Sequence, residues 1–332
     1  MVASEELMNR RNAIAVVVLL VVLAVVVVEH TRRAEHIARV GFLGVDSVLQ
    51  APMLAALKEG LRESGYVEGR NIVLETRWAD GHIDRLPQLA SGLVDAKVDV
   101  IVTALPAGIR AAQRATTSIP IVMTSNDPVN LGFITSFAHP GANITGPAHP
   151  DLQLSAKRLD LLRQLLPGLS RVAILWNDKG FGVGAAQIVE NAARPLGIQT
   201  LTLEIRSPED FSTAIAAAKA WGAQGAVQLF SPVFGTHRRE LLDVLNANRL
   251  PTICDSRLYT VDGCLMSYGS NILAAFRRMG YYIDRILKGA KPADLPVELT
   301  REYDYVINLK TAQSLGIAVP TELLLQATEV IR

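Results

Sequence analysis

From Arg39 onward the chain alternates short apolar runs with longer amphipathic ones. RVGFLG (39–44), NIVLETRW (71–78), VDVIVTAL (98–105) and PIVMT (120–124) predict buried strands. The stretches between them have helical periodicity. Met53, Leu54, Leu57 and Leu61 share one face, with Pro52 suited to the first turn. Leu86, Leu89, Leu93 and Val94 form a second such face, and Ile109, Ala112 and Ala115 a third. Strand–helix alternation at this spacing predicts βαβ units with right-handed crossovers and a parallel sheet.

A linker with Pro140, Gly141, Gly146, Pro147 and Pro150 follows, and then the pattern restarts. It predicts a helix at about 153–166 and strands RVAILW (171–176), IQTLTLEI (198–205), GAVQLF (225–230), LPTIC (250–254) and GCLMSY (263–268). A helix (271–288), a Pro-rich crossing KPADLPVE (291–298), a strand YDYVINL (303–309) and a last helix complete the chain. Two successive α/β units of similar strand count predict an α/β fold of two similar, doubly wound parallel-sheet lobes. The tail must return to pack on them, so the chain crosses between the lobes more than once. This assigns 37–146 plus about 269–298 to lobe one, and 147–268 plus about 299–332 to lobe two.

Residues 1–36 stand apart from this alternation. Ala13 to Val28 is an unbroken apolar run preceded by Arg10 and Arg11, the layout of a signal peptide. At 16 residues it is slightly short for a spanning helix, which needs roughly 17–25. No small-residue cleavage site is obvious, so both a cleaved leader and an uncleaved anchor at 13–28 remain open. Either one predicts a globular part outside the cytoplasm, in the periplasm, with membrane contact through the N-terminus if that segment is retained.

With 33 Lys and Arg against 32 Asp and Glu the net charge is +1, and no basic stripe supports a nucleic-acid partner. The two cysteines, Cys254 and Cys264, could pair in an oxidising compartment or could be two small buried residues. The six histidines are scattered and suggest no metal site; His139 and His149 fall in the inter-lobe linker.

Open parallel sheets bind ligands outside the carboxyl ends of their strands. Those ends carry Asp46-Ser47, Thr103, and Ser125-Asn126-Asp127 in the first lobe, and Asn177, Ser231, Asp255 and Tyr268 in the second. Each also has a plain reading: Ser47 and Asn177 as helix caps, Asp127-Pro128 as a turn pair, Trp176 and Tyr268 as packing residues. Gly41 and Gly44 alone make no dinucleotide fingerprint. P-loop, G-x-S-x-G and H-E-x-x-H patterns are missing, and no nucleophile pairs with a base. Neither a cofactor nor an enzymatic activity is indicated.

GYVEGRNI (65–72), DPVNLGF (127–133), HPGANITG (139–146), LMSYGSN (265–271), ILKGAKPADLPVE (286–298) and VINLKTAQSLGIAVP (306–320) resemble one family. It is the extracytoplasmic substrate-binding proteins of tryptophan/tyrosine-type ABC transporters. The resemblance runs from about Arg39 to Ile331 and implies a type I periplasmic-binding-protein fold, closing on a solute by hinge motion. It implies a small-molecule ligand such as an amino acid, an ABC permease as partner, and a monomer. Hydroxyls and backbone N–H groups would hold the ligand carboxylate and an acidic group its ammonium. The positions carried over are Ser47, Thr103, Ser125 and Asp127 in lobe one, and Asn177, Ser231, Asp255 and Tyr268 in lobe two. The chain departs from the family pattern at Cys264, at LPAG (105–108) and at WNDKGFG (176–182). A membrane-anchored sensor of the same fold is the alternative function, and an α/β enzyme a more distant one.

Overall fold

A computed structural model of the protein describes residues 37–178 and 182–332. The leader or anchor expected at 1–36 lies outside them. Among the described residues no helix is long and apolar enough to cross a membrane.

The first sheet contains β1 (Ala38–Gly44), β2 (Ile72–Trp78), β3 (Val100–Ala104), β4 (Ile121–Thr124) and the short β5 (Ile144–Thr145). Their order is β2-β1-β3-β4-β5, with every pair parallel. Helices α1 (Ala51–Glu63), α2 (Leu86–Asp95) and α3 (Leu105–Ala115) return the chain between strands. β3 is buried at all five positions, as a parallel strand covered on both faces must be.

The chain leaves this sheet through Gly146. Its φ is +138°, and a Cβ there would lie 2.0 Å from the Met123 carbonyl oxygen, so only glycine fits. β6 (Pro147–Ala148) then leads to α4 (Leu154–Leu165) and the second sheet. That sheet holds β7 (Arg171–Trp176), β8 (Gln199–Glu204), β9 (Gly225–Gln228), β10 (Thr252–Cys254) and β11 (Met266–Ser270). The intervening helices are α5 (Gly182–Ala193), α6 (Phe211–Trp221), α7 (Pro232–Thr236), α8 (Arg238–Ala247) and α9 (Arg257–Val261). Next come α10 (Ile272–Leu287), β12 (Glu298–Leu299), β13 (Tyr303–Asn308), α11 (Leu309–Leu315), α12 (Thr321–Gln326) and β14 (Glu329–Ile331).

The second sheet runs β14-β13-β11-β10-β9-β7-β8. Its five-strand portion β8-β7-β9-β10-β11 repeats the strand order of the first sheet, which gives the two-lobe expectation a topological basis. The lobes are less alike than the sequence predicts. β13 pairs antiparallel with β11 and β14 parallel with β13, adding two strands on one edge. The physical reason is the tail: after α10 has packed away from the second sheet, the chain re-enters from the opposite direction. α10 buries Phe276, Met279, Tyr282 and Ile283 with Val40, Phe42, Leu57 and Val102 in the core of the first lobe. β6 and β12 pair with each other, so two chain crossings lie side by side.

The strand expected at 263–268 begins only at Met266. Gly263 (φ +116°) turns the chain, and Cys264 is held by a disulfide to Cys254.

Candidate functional site

Both sheets reverse their winding direction between the first and third of their strands, β1/β3 and β7/β9. At such a switch point the loops part and leave a crevice at the carboxyl ends. The carboxyl ends of the two sheets approach each other here: a Cβ built on Gly235 in α7 would lie 3.9 Å from Leu49 Cδ2 in the loop after β1.

On the lobe-one side the loop after β1 is shaped by residues other than Ser47. Asp46 Oδ1 accepts the N–H groups of Val48 (2.9 Å) and Leu49 (2.7 Å), and Gln50 Oε1 accepts that of Val45 (2.6 Å). Ser47 Oγ instead donates to Asp80 Oδ1 at 3.4 Å and caps no helix; the N-cap of α1 is Gln50, which makes no side-chain capping bond. Thr103 is fully buried, and its hydroxyl donates to the Leu43 carbonyl (3.0 Å), stitching β3 to β1. Next to it Leu105 opens α3 with φ +64°, a strained backbone for a side-chain-bearing residue, immediately before Pro106. Ser125 Oγ accepts the Asp127 N–H (3.4 Å), while Asp127 Oδ2 accepts from Asn130 Nδ2 (3.0 Å). The Ser125 carbonyl accepts the His149 N–H (3.0 Å), which fixes this loop to the inter-lobe crossing.

On the lobe-two side Asn177 Nδ2 donates to the Ile205 carbonyl (2.6 Å). Ser231 Oγ accepts the Val233 N–H (3.1 Å) and caps the short α7. The Asp255 backbone N–H donates to Gln228 Oε1 (3.0 Å), whereas its carboxylate Oδ1 is buried without a hydrogen-bond partner.

Behind Asp255 lies a charged cluster. Arg158 of α4 is completely buried. Its Nε donates to the Tyr268 carbonyl (2.7 Å) and its Nη1 to Ser155 Oγ (3.3 Å), but Nη2 has no hydrogen-bond partner. Asp151, in the linker from lobe one, has Oδ1 3.9 Å from Arg158 Nη2 and Oδ2 2.9 Å from His149 Nδ1. Asp151 Oδ1 also accepts the Ser270 N–H (2.8 Å). These surroundings give the two carboxyls opposite characters. Burial pushes Asp151 up, but His149, Arg158 and the Ser270 N–H outweigh it and hold the group well below the usual carboxylate range. Asp255 is pushed up to about 7: burial dominates, Arg158 pulls down, and Asp151 adds repulsion. Burial likewise draws Arg158 down, against the pull of Asp151 and Asp255.

Tyr268 places its ring in an aromatic group. It stacks on Tyr303 (5.9 Å, 24°) and meets Tyr305 edge-on (6.1 Å, 73°). Among the described residues, no three His, Cys, Asp or Glu side chains gather to hold a metal ion.

The structure thus puts seven of the eight expected residues at or just after carboxyl ends of strands, on neighbouring strands within each lobe, and Tyr268 in the middle of β11. It also supplies Asp151, Arg158, Gln228 and Tyr303, which the sequence reading passes over. Only Arg158 left a signal in the sequence, because it shares the apolar spacing of Leu162 and Leu165 in α4.

The sequence profile of the family described as ABC transporter substrate binding protein matches residues 38–331. A tyrosine-binding protein of Clostridioides difficile (strain R20291) is 25% identical over 286 residues, spanning 83% of this chain and 81% of its own. A conserved domain protein from Vibrio cholerae superposes with a TM-score of 0.81 at 24% identity, over 89% of this chain and all of that one. An ABC domain from Streptococcus pneumonia in complex with L-Trp gives 0.80 at 21% identity, with the same coverage. These two structures establish likeness of fold, the type I periplasmic-binding-protein architecture.

Proposed function

The chain belongs to the ABC transporter substrate binding protein family, and on that footing we propose that it captures a free aromatic amino acid between its lobes. As a family member it binds a small solute for an ABC permease. The aromatic amino acid is the finer reading, supported by the names of its relatives, which bind tyrosine or are in complex with L-Trp.

The observation that carries this reading is Asp255. A buried carboxylate oxygen without a partner, at a ligand-binding strand end, costs roughly 1–3 kcal/mol unless a donor arrives. A ligand ammonium is such a donor. The Tyr268–Tyr303 pair nearby offers a face on which an aromatic side chain can stack. Ser47, Thr103, Ser125, Asp127, Asn177 and Ser231 complete the proposed lining.

We place this activity outside the cytoplasm, with residues 1–36 as leader or membrane anchor, and the protein acts as a monomer. The Cys254–Cys264 disulfide fits an oxidising compartment.

Titration calorimetry of the purified full chain in mild detergent tests the ligand. L-tyrosine or L-tryptophan should bind, and tyramine should bind more tightly than 3-(4-hydroxyphenyl)propionate if the ammonium site dominates. Heat from neither amino acid, with heat from a neutral sugar or a dicarboxylate, would overturn the reading.

A further inference from the structure

Arg158 has no place in the ligand lining as the sequence presents it, yet the fold encloses it completely. Its guanidinium is anchored by Nε on the Tyr268 carbonyl and Nη1 on Ser155 Oγ. Gly269 lies between it and Asp255: a Cβ on Gly269 would stand 1.9 Å from the Asp255 carbonyl oxygen and 3.7 Å from Arg158 Nη2. The absent side chain therefore lets the two strand ends close up, with a positive charge against the back of the Asp255 residue. Arg158 Nη2 and Asp255 Oδ1 are both buried without hydrogen-bond partners, and the two groups bear on each other electrostatically at a buried site, where charges are felt strongly.

We propose that Arg158 is the positioning residue of the lobe-two subsite: its fixed charge behind β10 and β11 keeps Asp255 a carboxylate that accepts the ligand's ammonium group. Arg158 does not touch the ligand; it acts through Asp255. The inference rests on the amino-acid reading above. The other groups that bear on Asp255 are Asp151 from the linker, Arg238 from α8 and the Tyr259 phenol of α9, with His149 one step further out against Asp151. Arg238 is already engaged by Asp262 (2.5 Å), and Asp151 is itself an anion, so Arg158 is the largest influence favouring ionised Asp255.

The test is the pH profile of L-tyrosine affinity between pH 5.5 and 8.5, on the full chain and its variants. In the parent protein affinity should fall as pH drops through about 7, where Asp255 takes up its proton. In R158M the inflection should move upward by a unit or more, weakening binding at pH 7 about tenfold while the loss narrows at pH 8.5. R158K should restore most of the parent profile, and D255N should flatten it. A pH-independent loss in R158M, or a profile matching the parent, would overturn the proposal while leaving amino-acid binding intact. If R158M fails to fold, R158K and D255N decide: a D255N profile that keeps the parent's inflection sinks it. A parent chain that binds neither L-tyrosine nor L-tryptophan overturns both this proposal and the amino-acid reading.

Discussion

At the scale of single residues, the ligand-binding role proposed for Asp255 is set against stability. Its carboxyl is pushed up to about 7 in the folded chain and returns to an ordinary value near 4 on unfolding. Because the folded value is raised, folding favours the protonated form. The penalty is absent below about pH 4, grows between 4 and 7, and is fully present above 7. D255N removes a charge the fold does not stabilise. We expect its melting temperature to exceed the parent's by several degrees at pH 8, on the order of 4 kcal/mol at full ionisation, and to converge with it near pH 4. Ligand-free thermal melts across that range check this; equal melting temperatures at pH 8 would mean that Asp255 is solvated in the free protein. The residue was legible as a polar group at a strand end, but its unusual character was not. That comes first from burial, opposed by Arg158 and reinforced by Asp151, and Asp151 reaches Ser270 across 119 positions of sequence. Arg158 falls on the same helical face as Leu162 and Leu165 in LSAKRLDLLRQLL, and the fold buries all three.

At the scale of elements, the period-2 and period-3.6 patterns located most strands within a residue or two, since parallel strands buried on both faces read as continuous apolar runs. They failed where tertiary pairing rather than side-chain pattern makes the strand. β5, β6 and β12 are two residues each and exist because neighbouring crossings press together. The strand expected from Gly263 starts late because the Cys254–Cys264 bond and the α9 turn occupy its first residues. The disulfide itself, one of two readings open in the sequence, closes a loop of sequence separation 10 between β10 and β11. Loop-closure entropy assigns it about 2–3 kcal/mol. The C254A/C264A double variant should therefore melt about 5–10 °C lower. The reduced parent should match it; a reductant-insensitive parent would show that the bond does not constrain the unfolded chain.

At the scale of the whole molecule, one strand order is used twice and joined by chain crossings at β6, at the β11–α10 junction and at β12. The repeated order was legible as a restart of pattern; the antiparallel edge was not, because direction of re-entry depends on where α10 packs. Asp151 and Asn271 bind these crossings to each other, through the Ser270 N–H and through Asp304 Oδ1 (3.1 Å), so a relative motion of the lobes must pivot about them. The approach of the lobes is visible at Gly235, where an added Cβ would lie 3.9 Å from Leu49 Cδ2 of the opposite lobe. A larger side chain there is directed at Leu49 and should obstruct closure of the lobes. G235W should therefore melt like the parent yet hold the lobes apart. Its radius of gyration in solution scattering should stay unchanged on adding L-tyrosine, whereas the parent's contracts. Apparent affinity scales with the fraction of molecules able to close, so a tenfold loss of that fraction weakens binding about tenfold. A G235W chain that contracts and binds like the parent would show that the Leu49–Gly235 contact is not part of closure, and that the lobes approach along another axis.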